Sequence, residues 1–268
     1  MRYFLYCSFA FLLLSACSED KSQDPATEAT APQQVKQAAP QYQETPSSLS
    51  GNEPHTGPNP HARLSSEQHI AVASQHAQEG RITEALDILT RAIIEYPDDA
   101  SLIGTRGSLL LSQDRVYEAL VDLDKALTLA PDSAMLLVNR SQAYVKFDRF
   151  QEAMADLDKA VALSPDSVPA RFNRGILLYD AAKYKEALAD FNLCVQVAPD
   201  TAGPYFNRAV TRDALSDQAG AVSDMNQFIK LADNPQWQKV AQETLAAWEK
   251  ESRHRTGQGE QFIQKNEH

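Results

Sequence analysis

Residues 100–133 read ASLIGTRGSLLLSQDRVYEALVDLDKALTLAPDS, and residues 134–167 read AMLLVNRSQAYVKFDRFQEAMADLDKAVALSPDS. Aligned without a gap, the two stretches share an arginine at Arg106 and Arg140, an alanine at Ala119 and Ala153, and an aspartate at Asp122 and Asp156. Both close on Pro-Asp-Ser. Outward from them, Pro97, Pro131, Pro165 and Pro199 stand 34 residues apart, and Ala85, Ala119, Ala153, Ala187 and Ala221 keep the same period. A fixed period of this size is the signature of stacked supersecondary units. Five such units fit residues 66–235, framed as 66–99, 100–133, 134–167, 168–201 and 202–235. Each contains two stretches with apolar residues at helical spacing, and the proline ends the second because it lacks an N–H and clashes with the preceding turn. The expected fold is all-α, a solenoid of helix–turn–helix repeats.

The unit resembles the tetratricopeptide repeat (TPR). That family places small residues where paired helices touch and larger ones beside them. Its eighth position holds Ala73, Gly107, Ser141, Gly175 and Ala209, and its twentieth holds the five alanines. Its twenty-fourth holds Leu89, Leu123, Leu157, Phe191 and Met225, and its twenty-seventh Ala92, Ala126, Ala160, Cys194 and Phe228. Departures gather at the ends: His76 and Arg212 replace a bulky residue at the eleventh position, and repeat 5 has its proline two residues late, at Pro235. End units face solvent on one side and are expected to be atypical. Trp237, Val240, Ala241, Thr244 and Trp248 then form one helical face, which predicts a capping helix over 236–252, followed by a polar tail over 253–268.

Repeats 2 to 5 carry Arg106, Arg140, Arg174 and Arg208 at the seventh position, and Asp122, Asp156, Asp190 and Asp224 at the twenty-third. Repeat 1 has Val72 and Ile88 there. A pair that switches together from ionic to apolar predicts that the two side chains meet between the helices of one repeat. The alternative is that both are solvated.

The N-terminus reads as an address. Arg2 precedes an apolar run from Tyr3 to Leu14, twelve residues that suit a leader and are too short to span a bilayer as a helix. It ends in Leu14-Ser15-Ala16-Cys17, which resembles the lipobox of bacterial lipoproteins. By that resemblance, residues 1–16 are a signal peptide, Cys17 carries a diacylglyceryl thioether, and the new N-terminus is acylated. Ser18 in place of an aspartate is compatible with outer-membrane sorting, so the expected location is the outer membrane, facing the periplasm. Several acyl chains give lasting anchorage where one does not.

Residues 17–65 comprise the lipidated cysteine and a tether rich in Pro, Gln, Ala, Ser and Thr, which cannot bury enough surface to offset its ordering entropy. Its 48 residues from 18 onward would span roughly 35–40 Å as a flexible chain. His55 and His61 lie in it and read as solvated residues. The net charge of −11, which becomes −12 without the leader, disfavours nucleic acid and suits a basic partner segment. Of three cysteines, Cys7 is lost with the leader and Cys17 is lipidated, so Cys194 is read as a small hydrophobe at a packing position.

In the TPR family, positions 2, 5, 9, 12 and 13 of the first helices line a concave groove. The resemblance places Met135, Val138, Phe172, Ile176, Tyr179, Phe206 and Val210 there, with Asn139, Asn173 and Asn207 beside them at the sixth position. Phe172, Tyr179 and Phe206 would be aromatic anchors; alternatively they pack inside the solenoid. Asparagine amides can pair with a peptide backbone, or are only a habit of such repeats. Lys146 is the single basic residue at these groove positions, which excludes the lysine clamp of cytosolic chaperone-binding members. No Gly-x-Ser-x-Gly, His-Glu-x-x-His, phosphate loop or Cys-x-x-Cys occurs, so no catalytic residue, metal site, cofactor or small-molecule substrate is expected. The reading is a lipid-anchored scaffold that holds a protein partner in envelope assembly, such as pilus or secretin, protease or cell-wall machinery. The rivals are a self-associating structural lipoprotein and an enzyme.

Overall fold

The computed structural model describes residues 64–266, with side chains through residue 251; the leader, Cys17, the tether up to residue 63 and the side chains of the tail lie outside the described residues. Among the described residues there are eleven helices and no strand. Repeat 1 is α1 (Ser66–Gln78) and α2 (Ile82–Glu95); repeat 2 is α3 (Ala100–Ser112) and α4 (Val116–Leu129); repeat 3 is α5 (Ala134–Lys146) and α6 (Phe150–Leu163). Repeat 4 is α7 (Val168–Asp180) and α8 (Tyr184–Val197), repeat 5 is α9 (Ala202–Ala214) and α10 (Gln218–Leu231), and α11 (Pro235–Asn266) follows.

Each boundary has a local cause. The first helices of repeats 1 to 4 start behind Ser65, Asp99, Ser133 and Ser167, whose side-chain oxygens accept backbone N–H groups of the first turn. The second helices of repeats 1 to 4 end at Tyr96, Ala130, Ser164 and Ala198, with φ near −130° and ψ of 69° to 82°. Those are the residues immediately before the four periodic prolines, where the proline ring disfavours helical backbone.

The turn inside each repeat is tighter. Its one left-handed residue is Gly80, Asp114, Asp148, Ala182 or Ser216, with φ between 57° and 76°. The next amide then bonds back into the first helix: Arg115 N–H to Leu110 O at 3.0 Å, Arg149 to Tyr144 at 2.9 Å, Lys183 to Leu178 at 2.8 Å. This closure satisfies carbonyls that the helix end would leave unpaired. Ala182 and Ser216 adopt φ values that ordinarily favour glycine, so the closure outweighs a local backbone cost.

Small residues sit where helix pairs cross. A Cβ on Gly175 would stand 2.7 Å from the Phe191 ring, and one on Gly107 would stand 3.0 Å from Leu123 Cγ. The periodic alanines Ala85, Ala119, Ala153, Ala187 and Ala221 are fully buried, as are the four side chains Leu89, Leu123, Leu157 and Phe191 that pack beside them. Gly104 has a different reason: Leu136 of the next repeat fills the place its side chain would take, with Cδ2 2.2 Å from an ideal Cβ.

At the C-terminal end, Pro235 opens α11 as its first residue instead of closing α10, a position for which its fixed φ and missing N–H are suited. Ala241, Thr244 and Trp248 are buried on this helix, and Trp237 and Leu245 pack against the cluster containing Phe206, Met225 and Phe228. The backbone helix runs on to Asn266, past the bound at residue 252 and through the segment read as a polar tail; no proline interrupts it there.

Candidate partner-binding face

Successive first helices (α1, α3, α5, α7, α9) contact one another more extensively than successive second helices do. The stack therefore bends with its first helices on the inside, and their free faces form the concave wall.

Of the ten expected groove residues, four keep exposed surface and six are buried. Met135 is 69% exposed, and Asn139, Tyr179 and Val210 are half-buried. Val138, Phe172, Asn173, Ile176, Phe206 and Asn207 are buried. The two phenylalanine anchors are a correction. Phe172 packs edge-on to Phe191 at 6.0 Å and Phe206 meets Phe228 at 5.2 Å, both across to the second helix of the same repeat. A fifth-position phenylalanine is long enough to reach between its own helix pair, and burying a ring of that size outweighs leaving it on the wall. The asparagines are a second correction. Asn173 and Asn207 donate to Pro169 O and Gly203 O, one turn back in their own helices, at 2.8 and 3.1 Å, and Asn139 donates to Ser108 Oγ of the preceding repeat. Asn139 thus ties two repeats together, and the amides of Asn173 and Asn207 are spent within their own helices. The exposed wall is thus built from positions 2, 9, 12 and 13: Met135, Gln142, Val145, Pro169, Tyr179 and Val210, flanked by Asp180 and Asp213.

The Arg–Asp pairs meet inside each repeat as bidentate forks. Arg106 Nε and Nη2 donate to Asp122 at 2.7 and 2.8 Å, Arg140 to Asp156 at 2.8 Å twice, Arg174 to Asp190 at 2.8 Å twice, and Arg208 to Asp224 at 2.7 and 2.6 Å. All four aspartates are buried. The third nitrogen of each arginine reaches the preceding repeat: Arg106 Nη1 to Thr90, Arg140 to Asp124, Arg174 to Asp158 and Arg208 to Asn192. One guanidinium therefore clamps two second helices and fixes the stacking register. The hydrogen bonds these arginines donate to the aspartates raise the pKa of Arg106, Arg140 and Arg174 above the ordinary value, so all three stay charged. The clamp partners at the twenty-fifth position went unread because they vary, Thr90, Asp124, Asp158 and Asn192, and a varying position carries no visible period. Repeats 4 and 5 add a second arginine to the same aspartate, Arg171 on Asp190 at 2.8 Å and Arg212 on Asp224 at 2.9 Å.

Cys194 is fully buried, and desolvation, with Asp190 nearby, pushes its thiol up to about 12. At pH 8 the folded chain should therefore leave Cys194 unmodified by a thiol reagent that labels it within minutes in denaturant. Comparable labelling of the native chain, followed by mass spectrometry, would contradict its placement. Among the described residues no cluster of three or more His, Cys, Asp or Glu is placed to hold a metal ion, and no helix is long and apolar enough to cross a membrane.

A family model described as tetratricopeptide repeat matches residues 105–168 and 138–219. No curated protein matches the chain. Among solved structures, a tetratricopeptide repeat protein from Parabacteroides merdae is 23% identical with a TM-score of 0.56, covering 72% of this chain and 76% of its own. YrrB, described as a TPR protein with an unusual peptide-binding site, is 21% identical with a TM-score of 0.51, covering 67% and 92%. Residues 41 to the end of MamA from Desulfovibrio magneticus are 17% identical with a TM-score of 0.53, covering 62% and 94%. The tetratricopeptide repeat model thus matches across residues 105–219, and the shared architecture shows that the chain folds as a tetratricopeptide repeat solenoid.

Proposed function

We propose that the chain is a lipid-anchored adaptor of the bacterial envelope that holds a protein segment against the concave wall of repeats 3 to 5. The observation that carries this is the wall itself. Met135, Val145, Tyr179 and Val210 keep part of their apolar surface in solvent across three consecutive first helices, although deeper packing was open to Phe172 and Phe206. An apolar strip of this kind rimmed by polar residues supports an interaction role. The net charge of −11 suits a partner segment with basic residues among apolar ones. YrrB, described as a TPR protein with an unusual peptide-binding site, supports a peptide-holding reading of this architecture. Cys17 supplies the anchor by its resemblance to a lipobox cysteine, and the lipid would confine the partner to the membrane surface and raise its effective concentration. The proposed location is the outer membrane, facing the periplasm.

The test is affinity capture from detergent-solubilised envelope with the full chain as bait, beside a bait carrying Met135→Ser, Val145→Ser and Val210→Ser. These side chains are exposed or half-buried, so the fold should persist, which circular dichroism checks. A protein retained by the first bait and lost from the second supports the concave wall. Equal retention moves the interface elsewhere. The anchor is tested apart, by Cys17→Ser, which should release the chain from the membrane fraction.

A further inference from the structure

On the flank where each first helix meets the second helix of the preceding repeat, repeats 2 and 3 differ in one respect. In repeat 3, Arg140 Nη1 donates to Asp124 Oδ1 at 2.9 Å, and the Tyr144 ring lies between two guanidiniums, 5.4 Å from Arg140 Cζ and 4.4 Å from Arg149 Cζ. Arg149 bonds Glu152 at 2.9 Å while it stacks. One period earlier the same frame recurs, with Arg106 in the clamp and Arg115 bonded to Glu118 at 2.8 and 2.7 Å. The filling does not recur: Thr90 stands in the place of Asp124, and Leu110 in the place of Tyr144.

The consequence is a cavity of about 380 Å³ between Thr90, Arg106, Leu110 and Arg115, with Tyr117 and Val121 at its rim and the carboxylates Asp122 and Glu118 in its lining, each bonded to one of the two arginines. That is within the range of small ligand pockets. Arg106 Nη1 reaches the neutral Thr90 hydroxyl at 3.3 Å, where its counterpart has a carboxylate, so the site is one negative charge short of the next repeat. Tyr117 is 73% exposed and Val121 54% exposed at its rim. Repeat 3 thus displays, built in, what repeat 2 lacks: an aromatic ring between two guanidiniums and a carboxylate on the inner one.

We propose that Tyr42 and Glu44 of this chain fill that cavity, the tyrosine ring entering between Arg106 and Arg115 and the Glu44 carboxylate accepting from Arg106 Nη1. Tyr42 is the only Phe, Tyr or Trp between residues 18 and 63, and Glu44 follows two residues later. In extended backbone, residues i and i+2 face the same side about 7 Å apart, so a ring and a carboxylate at this spacing address one guanidinium together. Reach is ample. The chain enters the fold at Leu64, whose carbonyl accepts from Tyr96 Oη at 3.0 Å at the end of α2, and the cavity faces the middle of that 14-residue helix. The helix is about 21 Å long, while the 19 residues between Glu44 and Leu64 extend to about 65 Å. A linker of this length gives the segment a millimolar-order effective concentration. The cavity lies away from the concave wall, so seating Tyr42 leaves that wall open.

The test reads nitration of Tyr42 by tetranitromethane in the full chain, residue by residue, by mass spectrometry. Thr90→Asp with Leu110→Tyr gives this flank the carboxylate and the ring that fill it in repeat 3 and closes the cavity from within; Tyr42 should then react about threefold faster or more. Because Leu110 is buried, a second variant, Tyr117→Ser with Val121→Ser, strips only the exposed rim and should release Tyr42 to a similar degree. Equal Tyr42 rates in the parent chain and both variants would overturn the proposal. Protection of Tyr42 that grows with protein concentration would also overturn it, because the occupant would then come from a second copy.

Discussion

Replacing Arg140 with leucine should lower stability by about 3 kcal/mol, and adding Asp156→Ile should restore more than half of that loss. Asp156 is buried and receives both of its guanidinium hydrogen bonds from Arg140. Removing one partner of such a pair strands a desolvated charge, which costs about 3–5 kcal/mol when burial is complete; the lower end applies because the Arg140 side chain is 22% exposed. Asp124, its third partner, is 51% exposed and regains water at little cost. The double variant gives repeat 3 the apolar choice that repeat 1 already makes with Val72 and Ile88. Urea melts of the two single variants and the double variant give the coupling directly. If the double variant is no more stable than Arg140→Leu, the loss comes from the broken inter-repeat clamp and not from the stranded aspartate.

Phe206→Ala should cost about 3–5 kcal/mol, as large-to-small changes at a buried ring do. The ring is 1% exposed, meets Phe228 at a 60° tilt and belongs to the cluster that α11 closes with Ala241 and Trp248. Neighbours in a helix pair cannot collapse into the space without shifting backbone, so a cavity term adds to the lost burial. A wall anchor would behave oppositely, with stability unchanged within about 0.5 kcal/mol and only partner capture lost. Denaturant unfolding of this variant therefore separates the two roles of the fifth position without knowledge of any partner. Repeats 4 and 5 should unfold before repeats 1 to 3 in the variant, because in a stack of this kind each unit leans only on its neighbours.

The concave wall shows where a repeat resemblance stops being informative. It assigns positions 2, 5, 9, 12 and 13 to the groove, yet position 5 lies at the edge of that face and turns inward when its side chain is large. Gly104 and Phe172 share the fifth position with opposite consequences: the glycine makes room for Leu136 of the next repeat, and the phenylalanine fills the space against Phe191. Position 6 behaves alike, since Asn173 and Asn207 find acceptors one turn away before any ligand arrives.

Period, helix count, the ends of the second helices and the Arg–Asp pairing are all legible in the sequence alone, because each is repeated four or five times and each rests on local chemistry or on a charge that changes only with its partner. Proline at Pro97, Pro131, Pro165 and Pro199 acts within one turn of itself, so its effect needs no fold to be known. The left-handed turn at Asp114, Asp148, Ala182 and Ser216 needed the structure, since the residue there varies and the backbone bond that closes the turn leaves no mark in the sequence. So did the clamp on Asp124 and Asp158, and so did the distinction between Phe206 inside and Met135 outside. These depend on which side chain of a neighbouring repeat arrives at the same point in space, a quantity set by long-range packing that no single repeat contains.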